Sequence, residues 1–333
     1  MSSPHLALYR KYRPQTFSDV VGQEQIITLL ESSITQKKIS HAYLFCGGRG
    51  TGKTTVARIF ARDIGCNGED IIEIDAASNR GIDEIRELRD AVRTSPFSSP
   101  YKVYIVDEAH MLTKEAANAL LKTLEEPPSH VIFILATTDP EKLPATIISR
   151  CQKIVFQVPS LATLAKRLMY VTESEGKVLA EDSALLIARH GKGSYRDALG
   201  VLEQVLTTGG KSITLPDVVL QLGTPDTVAL INLLKAHCTK DEKGIAESLT
   251  LLQKKNGSAL RTYDEFLELV RTGLLIRIGE VTVENEELTK ISKEYAALVG
   301  SKLILTLLEK RHLLEVSEAH AWTAFLAVLL SLS

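Results

Sequence analysis

The run Gly47-Gly48-Arg49-Gly50-Thr51-Gly52-Lys53-Thr54 has the residue types and spacing to capture a nucleotide's phosphates. It matches G-x-x-x-x-G-K-[ST], in which glycines let the backbone curl and aim its N–H groups at the β- and γ-phosphates. Lys53 would add a mobile positive charge, the Thr54 hydroxyl would ligate Mg²⁺, and Thr55 follows in the same turn. A glycine-rich turn can match by chance. Here an apolar run at 42–46 precedes it and a helical pattern at 54–64 follows, so the loop opens a helix whose dipole favours the same anion. The implied ligand is ATP with Mg²⁺.

Two further groups would complete hydrolysis. Residues 103–106 read as a buried strand that runs into Asp107 and Glu108. Asp107 is predicted to hold Mg²⁺ opposite Thr54, and Glu108 to orient and polarise the attacking water. Two acids at a strand end are common on any surface, but their order after the glycine loop favours the catalytic reading. A strand over 133–136 leads to Thr137 and Thr138. Thr138 is predicted to hydrogen-bond the water or the γ-phosphate; the plainer alternative is a threonine that caps a turn.

These groups need a scaffold that gathers strand ends. Runs at 42–46, 71–74, 103–106, 131–136 and 154–156 predict short strands, with helices over 54–64 and 82–92 between them. That alternation predicts an α/β domain with a parallel sheet covered on both faces. From Ser160 strand signals nearly vanish. Ser160, Asp182, Ser194 and Thr214 each precede an apolar-periodic stretch and are predicted helix caps. Gly223-Thr224-Pro225 breaks the chain, with Thr224 able to cap a new helix that has Pro225 at its first position. The remainder reads as further helices with a charged surface stretch at 283–290. The predicted domains are 1–159 (α/β), 160–222 (a helical lid) and 223–333 (all-α).

Composition bounds the class. The 333 residues exceed one core's usual size, and 44% hydrophobic with 24% charged residues is ordinary for a soluble protein. A net charge of −2 means that any nucleic-acid contact must be local. Cys46, Cys66, Cys151 and Cys238 form no C-x-x-C pair, which predicts neither zinc nor disulfides and fits a reducing cytosol. The N-terminal stretch lacks a signal-peptide core, and the apolar run at 321–332 is too short to span a bilayer. The expectation is a cytoplasmic chain with no membrane partner.

With these motifs in order, the sequence resembles the AAA+ clamp-loader ATPases. The segments that carry the resemblance are YRKYRPQTF (9–17), VVGQ (20–23), HAYLF (41–45), EIDAAS (73–78), DEAHML (107–112), ALLKTLEEPP (119–128), ATTDPEKLP (136–144), SRC (149–151) and GSYRDAL (193–199). LLKTLEEPP and ATTDPEKLP side with the bacterial motor subunits rather than with the small subunits of replication factor C. The match runs from about 8 to 222, and beyond 223 it is topological only.

The resemblance implies an AAA+ P-loop domain, a helical lid and a collar-like C-terminal domain that serves oligomerisation. It implies an ATP-driven motor of a DNA polymerase holoenzyme that opens a sliding clamp and places it on primed DNA. Its partners would be copies of itself, related AAA+ chains, the clamp and the DNA. Arg150 would be an arginine finger reaching a neighbour's ATP, and Arg196 a lid arginine on the γ-phosphate of its own chain. Val20 and Val21 would flank adenine, with Arg13-Pro14 shaping that pocket. Asn79, Arg80 and Lys122 sit where the family grips the template backbone. One departure stands out. The bacterial subunits carry a four-cysteine zinc module before EIDAAS, whereas here Cys66 is soon followed by Glu69-Asp70, so no zinc is expected. The alternatives are a protein like the replication factor C small subunits, a non-hydrolysing scaffold subunit, and a branch-migration motor.

Overall fold

A strand with no polar residue can be buried on both faces, and the computed structural model builds its first domain on that property. It describes residues 6–78, 91–208, 210–222, 227–256, 258–280 and 285–332. Strands β1 (Ala42–Cys46), β2 (Ile71–Asp75), β3 (Lys102–Asp107), β4 (Val131–Thr137) and β5 (Gln152–Val155) lie in the order β2-β3-β4-β1-β5. Every neighbouring pair is parallel, with Ala42 opposite Phe133 and Lys102 opposite Val131. The predicted strands over 42–46, 71–74, 103–106 and 131–136 coincide with β1 to β4, whereas β5 starts two residues before the predicted 154–156, on the polar Gln152 and Lys153.

Alternate residues of each strand feed two separate cores. Tyr43, Phe45, Val103, Ile105 and Ile134 pack with Ile26 and Leu30 of α2 (Glu24–Thr35) and with Val56, Ile59 and Phe60 of α3 (Lys53–Asp63). Ala42, Leu44, Tyr104, Val106 and Phe133 pack with Ala116, Leu120 and Leu124 of α4 (Lys114–Glu125) and with Ile147 of α5 (Ala145–Ile148). Burial of one such large side chain contributes about 1.5–3 kcal/mol, so a one-residue register slip would exchange two whole cores. A short helix, α1 (Leu8–Lys11), precedes α2.

Next come α6 (Leu161–Ser174), α7 (Glu181–His190), α8 (Tyr195–Thr208) and α9 (Leu215–Leu222), with a two-stranded pair, β6 (Val178–Leu179) and β7 (Ser212–Ile213). Ser160 and Ser194 accept the N–H groups of Thr163 and Asp197, as caps do. Asp182 is not a cap. Ala180 N bonds Ile213 O, so the chain is still extended there and α7 begins one residue before Asp182.

The contacts divide the chain into two compact units, 1–218 and 219–333. The second is helical: α10 (Thr227–Cys238), α11 (Glu242–Asn256), α12 (Ala259–Ile278), α13 (Glu286–Glu294), α14 (Ser301–Lys310) and α15 (Glu318–Leu330). The expected charged stretch at 283–290 is corrected in part. Asn285 accepts the Leu288 N–H and starts α13, which buries Leu288 and Ile291. The predicted cap at Thr224 and the helix over 82–90 lie outside the described residues. Among those described, no helix is long and apolar enough to cross a membrane.

Tyr263, Phe266 and Phe325 centre the second core, and the Tyr263 hydroxyl donates to Leu307 O at 2.7 Å. His237 is buried in the same unit, with Nδ1 unpaired among the described residues. Burial first, and then the charge of Lys240, hold its imidazole below the usual 6.5. The unfolded chain therefore takes up the proton first as the pH falls. Its contribution is intact above pH 6.5 and is lost below it, by at most about 1.4 kcal/mol per pH unit. Denaturant unfolding at about pH 7.5 and 5.5 should show a smaller acid loss for His237→Leu than for the parent chain; equal losses would exclude this origin.

Candidate functional site

All the strands run in parallel, so their carboxyl ends lie along one edge, where α/β sheets place ligands. The loop after β1 turns there into α3. Gly47, Gly50 and Gly52 have φ of +154°, +69° and +105°, a region closed to most side chains. The space is as restrictive as the torsions. A Cβ on Gly47 would lie 2.7 Å from Phe156 O, and one on Gly50 would lie 2.0 Å from Ser194 Oγ. Gly48 and Arg49 are exposed at the loop's crown, and Thr51 is tucked beneath it with Oγ1 donating to Gly48 O at 2.9 Å.

Lys53 is not the mobile charge that its type suggests. It is 5% exposed, and Nζ donates to Gly47 O and Gly48 O at 2.8 Å each. Burial lowers its pKa, and the carboxylates of Glu108 and Asp107 oppose that shift. One residue on, Thr54 Oγ1 donates to Asp107 Oδ2 at 2.7 Å, joining the start of α3 to the end of β3. This hydroxyl–carboxylate pair could hold a divalent cation between phosphate and strand.

Glu108 follows in a left-handed conformation, φ 48° and ψ 43°, before a 3-10 turn over Ala109–Met111. Non-glycine residues adopt it at a cost of about 1–3 kcal/mol, and it is common where a side chain must be aimed. Thr138 Oγ1 lies 3.4 Å from Glu108 Oε2. Thr137, which ends β4, is fully buried and bonds His110 Nδ1 at 3.1 Å, while its carbonyl accepts Gly47 N–H at 3.2 Å.

A cavity of about 700 Å³, large enough for a nucleotide-sized ligand, opens over the loop. Its lining includes Val20, Val21, Arg13, Pro14 and the loop Arg49–Thr55, with Asp107, Glu108 and Arg196. Seven cationic side chains face three acids there, so the lining favours a polyanion despite the chain's net charge of −2. The glycine cradle, the cation-rich wall and the Thr54–Asp107 pair together fit ATP with Mg²⁺.

Three features escape sequence reading. Arg13 Nε donates to Thr55 Oγ1 at 3.0 Å, which brings it next to the phosphate loop. Burial first, with help from the charge of Arg58, pulls its pKa down to about 10, still a cation at neutral pH. Arg196 stacks over the Tyr9 ring at 5.8 Å. Helix α8 also meets the glycine loop directly, since Tyr195 N bonds Gly50 O at 3.0 Å and its hydroxyl bonds Val21 O at 2.7 Å. Both links join residues far apart in the chain, and no local pattern announces them.

Arg150 and Lys122 do not line the cavity. Arg150 closes α5, where Nη2 bonds Glu125 Oε1 at 2.6 Å and Nη1 bonds Thr146 O at 2.7 Å. Lys122 is exposed on α4, and Asn79 and Arg80 lie outside the described residues. Cys66 is buried in the sheet's core, donates to Tyr101 O at 3.2 Å and has its thiol pushed up to about 11 by burial. The segment around it is fastened by Asp70, whose carboxylate accepts the N–H groups of Phe97, Ser98 and Ser99 at 2.7–3.0 Å.

Comparison with known proteins gives a consistent result. The family model described as "DNA polymerase III, delta subunit" matches residues 22–80 and 67–160. The tau subunit of DNA polymerase III from Bacillus subtilis (strain 168) is 39% identical, across 92% of this chain and 59% of its own length. The gamma subunit from Buchnera aphidicola is also 39% identical, across 79% of this chain and 78% of that protein. The chain thus spans little over half of the tau relative. Among solved structures, the Thermotoga maritima RuvB Holliday junction branch migration motor superposes with a TM-score of 0.55 at 20% identity, covering 68% of this chain and 78% of that one. At that identity the likeness speaks for the fold alone.

The two inner glycines separate torsional strain from collision. A Cβ added to Gly52 would have nothing within 4 Å, whereas one added to Gly50 would meet Ser194. Gly50→Ala should therefore lower the melting temperature of the nucleotide-free chain by more than Gly52→Ala does, by roughly 2–4 °C for each extra kcal/mol. Equal shifts would show that the contact with Ser194 yields without cost.

Proposed function

The chain belongs to the DNA polymerase III tau/gamma family, and from that premise we propose that it is an ATP-hydrolysing motor that loads a sliding clamp onto primed DNA. The observation that carries the proposal is the coexistence, in one cation-lined cavity, of the Thr54–Asp107 pair and Glu108. A scaffold subunit that never hydrolyses ATP has no need to keep metal and water ligands together. Bound Mg²⁺-ATP would supply the phosphoryl group and an electrophilic metal.

The chain's own residues supply the rest. The glycine loop and Lys53 bind the phosphates, and Thr54 with Asp107 holds the metal. Glu108 orients the water and accepts its proton, with Thr138 at the same carboxylate. Arg196 would meet the γ-phosphate from the lid, while Val20, Val21 and Arg13 enclose the base and sugar side. Arg150 is read as the finger for a neighbouring subunit's site, which its absence from this chain's own cavity wall supports. Fingers of this kind raise turnover by about 10³–10⁵.

The other assignments follow from the same family reading. Residues 1–159 form the ATPase domain, 160–222 the lid and 223–333 a collar for oligomerisation. Partners are further copies or related AAA+ chains, the clamp and primed DNA, in the cytoplasm. Lys122, with Asn79 and Arg80, is assigned to the template backbone. A replication factor C-like subunit or a branch-migration motor would share the cavity, but sequence identity of 39% to the tau and gamma relatives favours the bacterial polymerase family.

ATP turnover of the purified chain, alone and with companion subunits, clamp and primed DNA, tests the proposal. Strong stimulation only in the full mixture is expected. Glu108→Gln should retain ATP affinity while turnover falls by about 10²–10⁴. Assemblies mixing Lys53→Ala chains with Arg150→Ala chains should recover activity at interfaces that pair an intact loop with an intact finger. Undiminished turnover when every copy carries Arg150→Ala would rule out the finger.

A further inference from the structure

His110 lies outside the glycine loop and the cavity wall, yet its ring touches two elements that converge on the site. It follows Glu108 by two residues in the 3-10 turn over Ala109–Met111, with 9% of its side chain exposed. Nδ1 is 3.1 Å from Thr137 Oγ1 and 3.5 Å from Glu108 Oε2, while Nε2 is 3.6 Å from Asp139 Oδ2. The imidazole thus stands between the carboxylate of Glu108 and the chain that leaves β4.

The partners of Thr137 show how the ring is held. Its hydroxyl oxygen accepts the Asp139 N–H at 3.1 Å, which leaves the hydroxyl proton and one lone pair for Nδ1. Thr137 is fully buried, and its carbonyl also holds Gly47 N–H at the start of the phosphate loop. The ring therefore rests on a residue that the sheet holds firmly at the strand end. Glu108 has weaker support of its own. Its backbone is left-handed, and its Oε2 is met by Thr138 Oγ1 at 3.4 Å and by His110 Nδ1 at 3.5 Å. A carboxylate that must place a water within hydrogen-bond reach of a phosphate needs its rotamer fixed by neighbours.

We propose that His110 is a positioning residue for hydrolysis, bracketing the Glu108 carboxylate against the end of β4. The proposal rests on Glu108 being the base that orients the water. His110 touches neither nucleotide nor metal in this scheme. It sets the angle from which Glu108 approaches the water, and it makes that angle depend on where β4 ends. A change in the 137–139 segment would then reach Glu108 through one ring rather than through the backbone of β3. A ring that only plugged the strand end would leave that carboxylate indifferent to its removal.

Three readouts separate positioning from plugging: ATP affinity by calorimetry, kcat in the full assembly, and the ¹⁵N resonances of the His110 ring in nucleotide-free chain. His110→Leu should lower kcat by about 10- to 100-fold while ATP affinity stays within about twofold. His110→Asn, which keeps a polar atom near the Nδ1 position, should recover most of the loss. Glu108→Gln should shift the His110 ring resonances in the absence of nucleotide. Unchanged kcat in His110→Leu, a parallel loss of affinity and kcat, or ring resonances blind to Glu108→Gln would each overturn the proposal. Should His110→Leu fail to fold, Thr137→Val carries the same expectation, since it removes the hydroxyl that steadies the ring. Full turnover in Glu108→Gln would instead overturn the assignment of Glu108 as base, and the positioning role with it.

Discussion

The hydrogen bond from Thr54 Oγ1 to Asp107 Oδ2 spans more of the fold than its 2.7 Å suggests. Thr54 stands at the start of the helix that follows β1, and Asp107 ends β3. In the sheet these strands are not neighbours, because β4 lies between them. Adjacent strands are about 4.8 Å apart, so the bond must cross over the end of β4 to close. Whatever residue ends β4 is thereby placed beneath the Thr54–Asp107 pair. That residue is Thr137, and its burial and its bonds to Gly47 N and His110 Nδ1 follow from this position. Strand order, more than any one motif, assembles the site.

Electrostatics sets a second condition. Seven cationic side chains around one cavity repel each other, and burial of Lys53 and Arg13 makes their charges more costly still. Carbonyls of the loop take the hydrogen bonds of Lys53, and the Thr55 hydroxyl takes one from Arg13. Neutral acceptors satisfy hydrogen bonds without cancelling charge. A polyanion would cancel it, so the same arrangement that concentrates like charge around the cavity favours a nucleotide's phosphates. The chain's net charge of −2 hides this local field entirely.

Much of this was legible in the residues alone. Strands β1 and β4 lie in the apolar runs because a strand buried on both faces must be apolar throughout, and the glycine loop is legible because its φ angles exclude other residues. What sequence reading missed depends on partners distant in the chain. Asp182 looked like a cap because an acid in a helix's first turn has the same composition as a cap; the bond from Ala180 N to Ile213 O decides where α7 starts. Residues 283–290 looked like a solvated surface because, of the part described, only Leu288 is buried where α13 seats. Tyr9 under Arg196, Arg13 on Thr55 and His110 on Thr137 are contacts between elements, and spacing along the chain carries no trace of them.

Helix α8 shows what such contacts do. The first turn of α8 bonds the glycine loop through Gly50 O and the segment before α2 through Val21 O, and it carries Arg196 on the same turn. Rotation of α8 therefore cannot move Arg196 alone; it must also break two bonds that shape the cavity. Gly50 lacks the Cβ that would collide with Ser194, which is what lets loop and lid approach so closely. Binding at the loop and the posture of α8 are then one equilibrium rather than two. A ligand that prefers one posture shifts the lid only by its difference in affinity between postures. Arg150 stands outside this coupling, held by Glu125 and Thr146 at the end of α5 and away from this chain's cavity wall. A phosphate site that needed it would have to be brought to it.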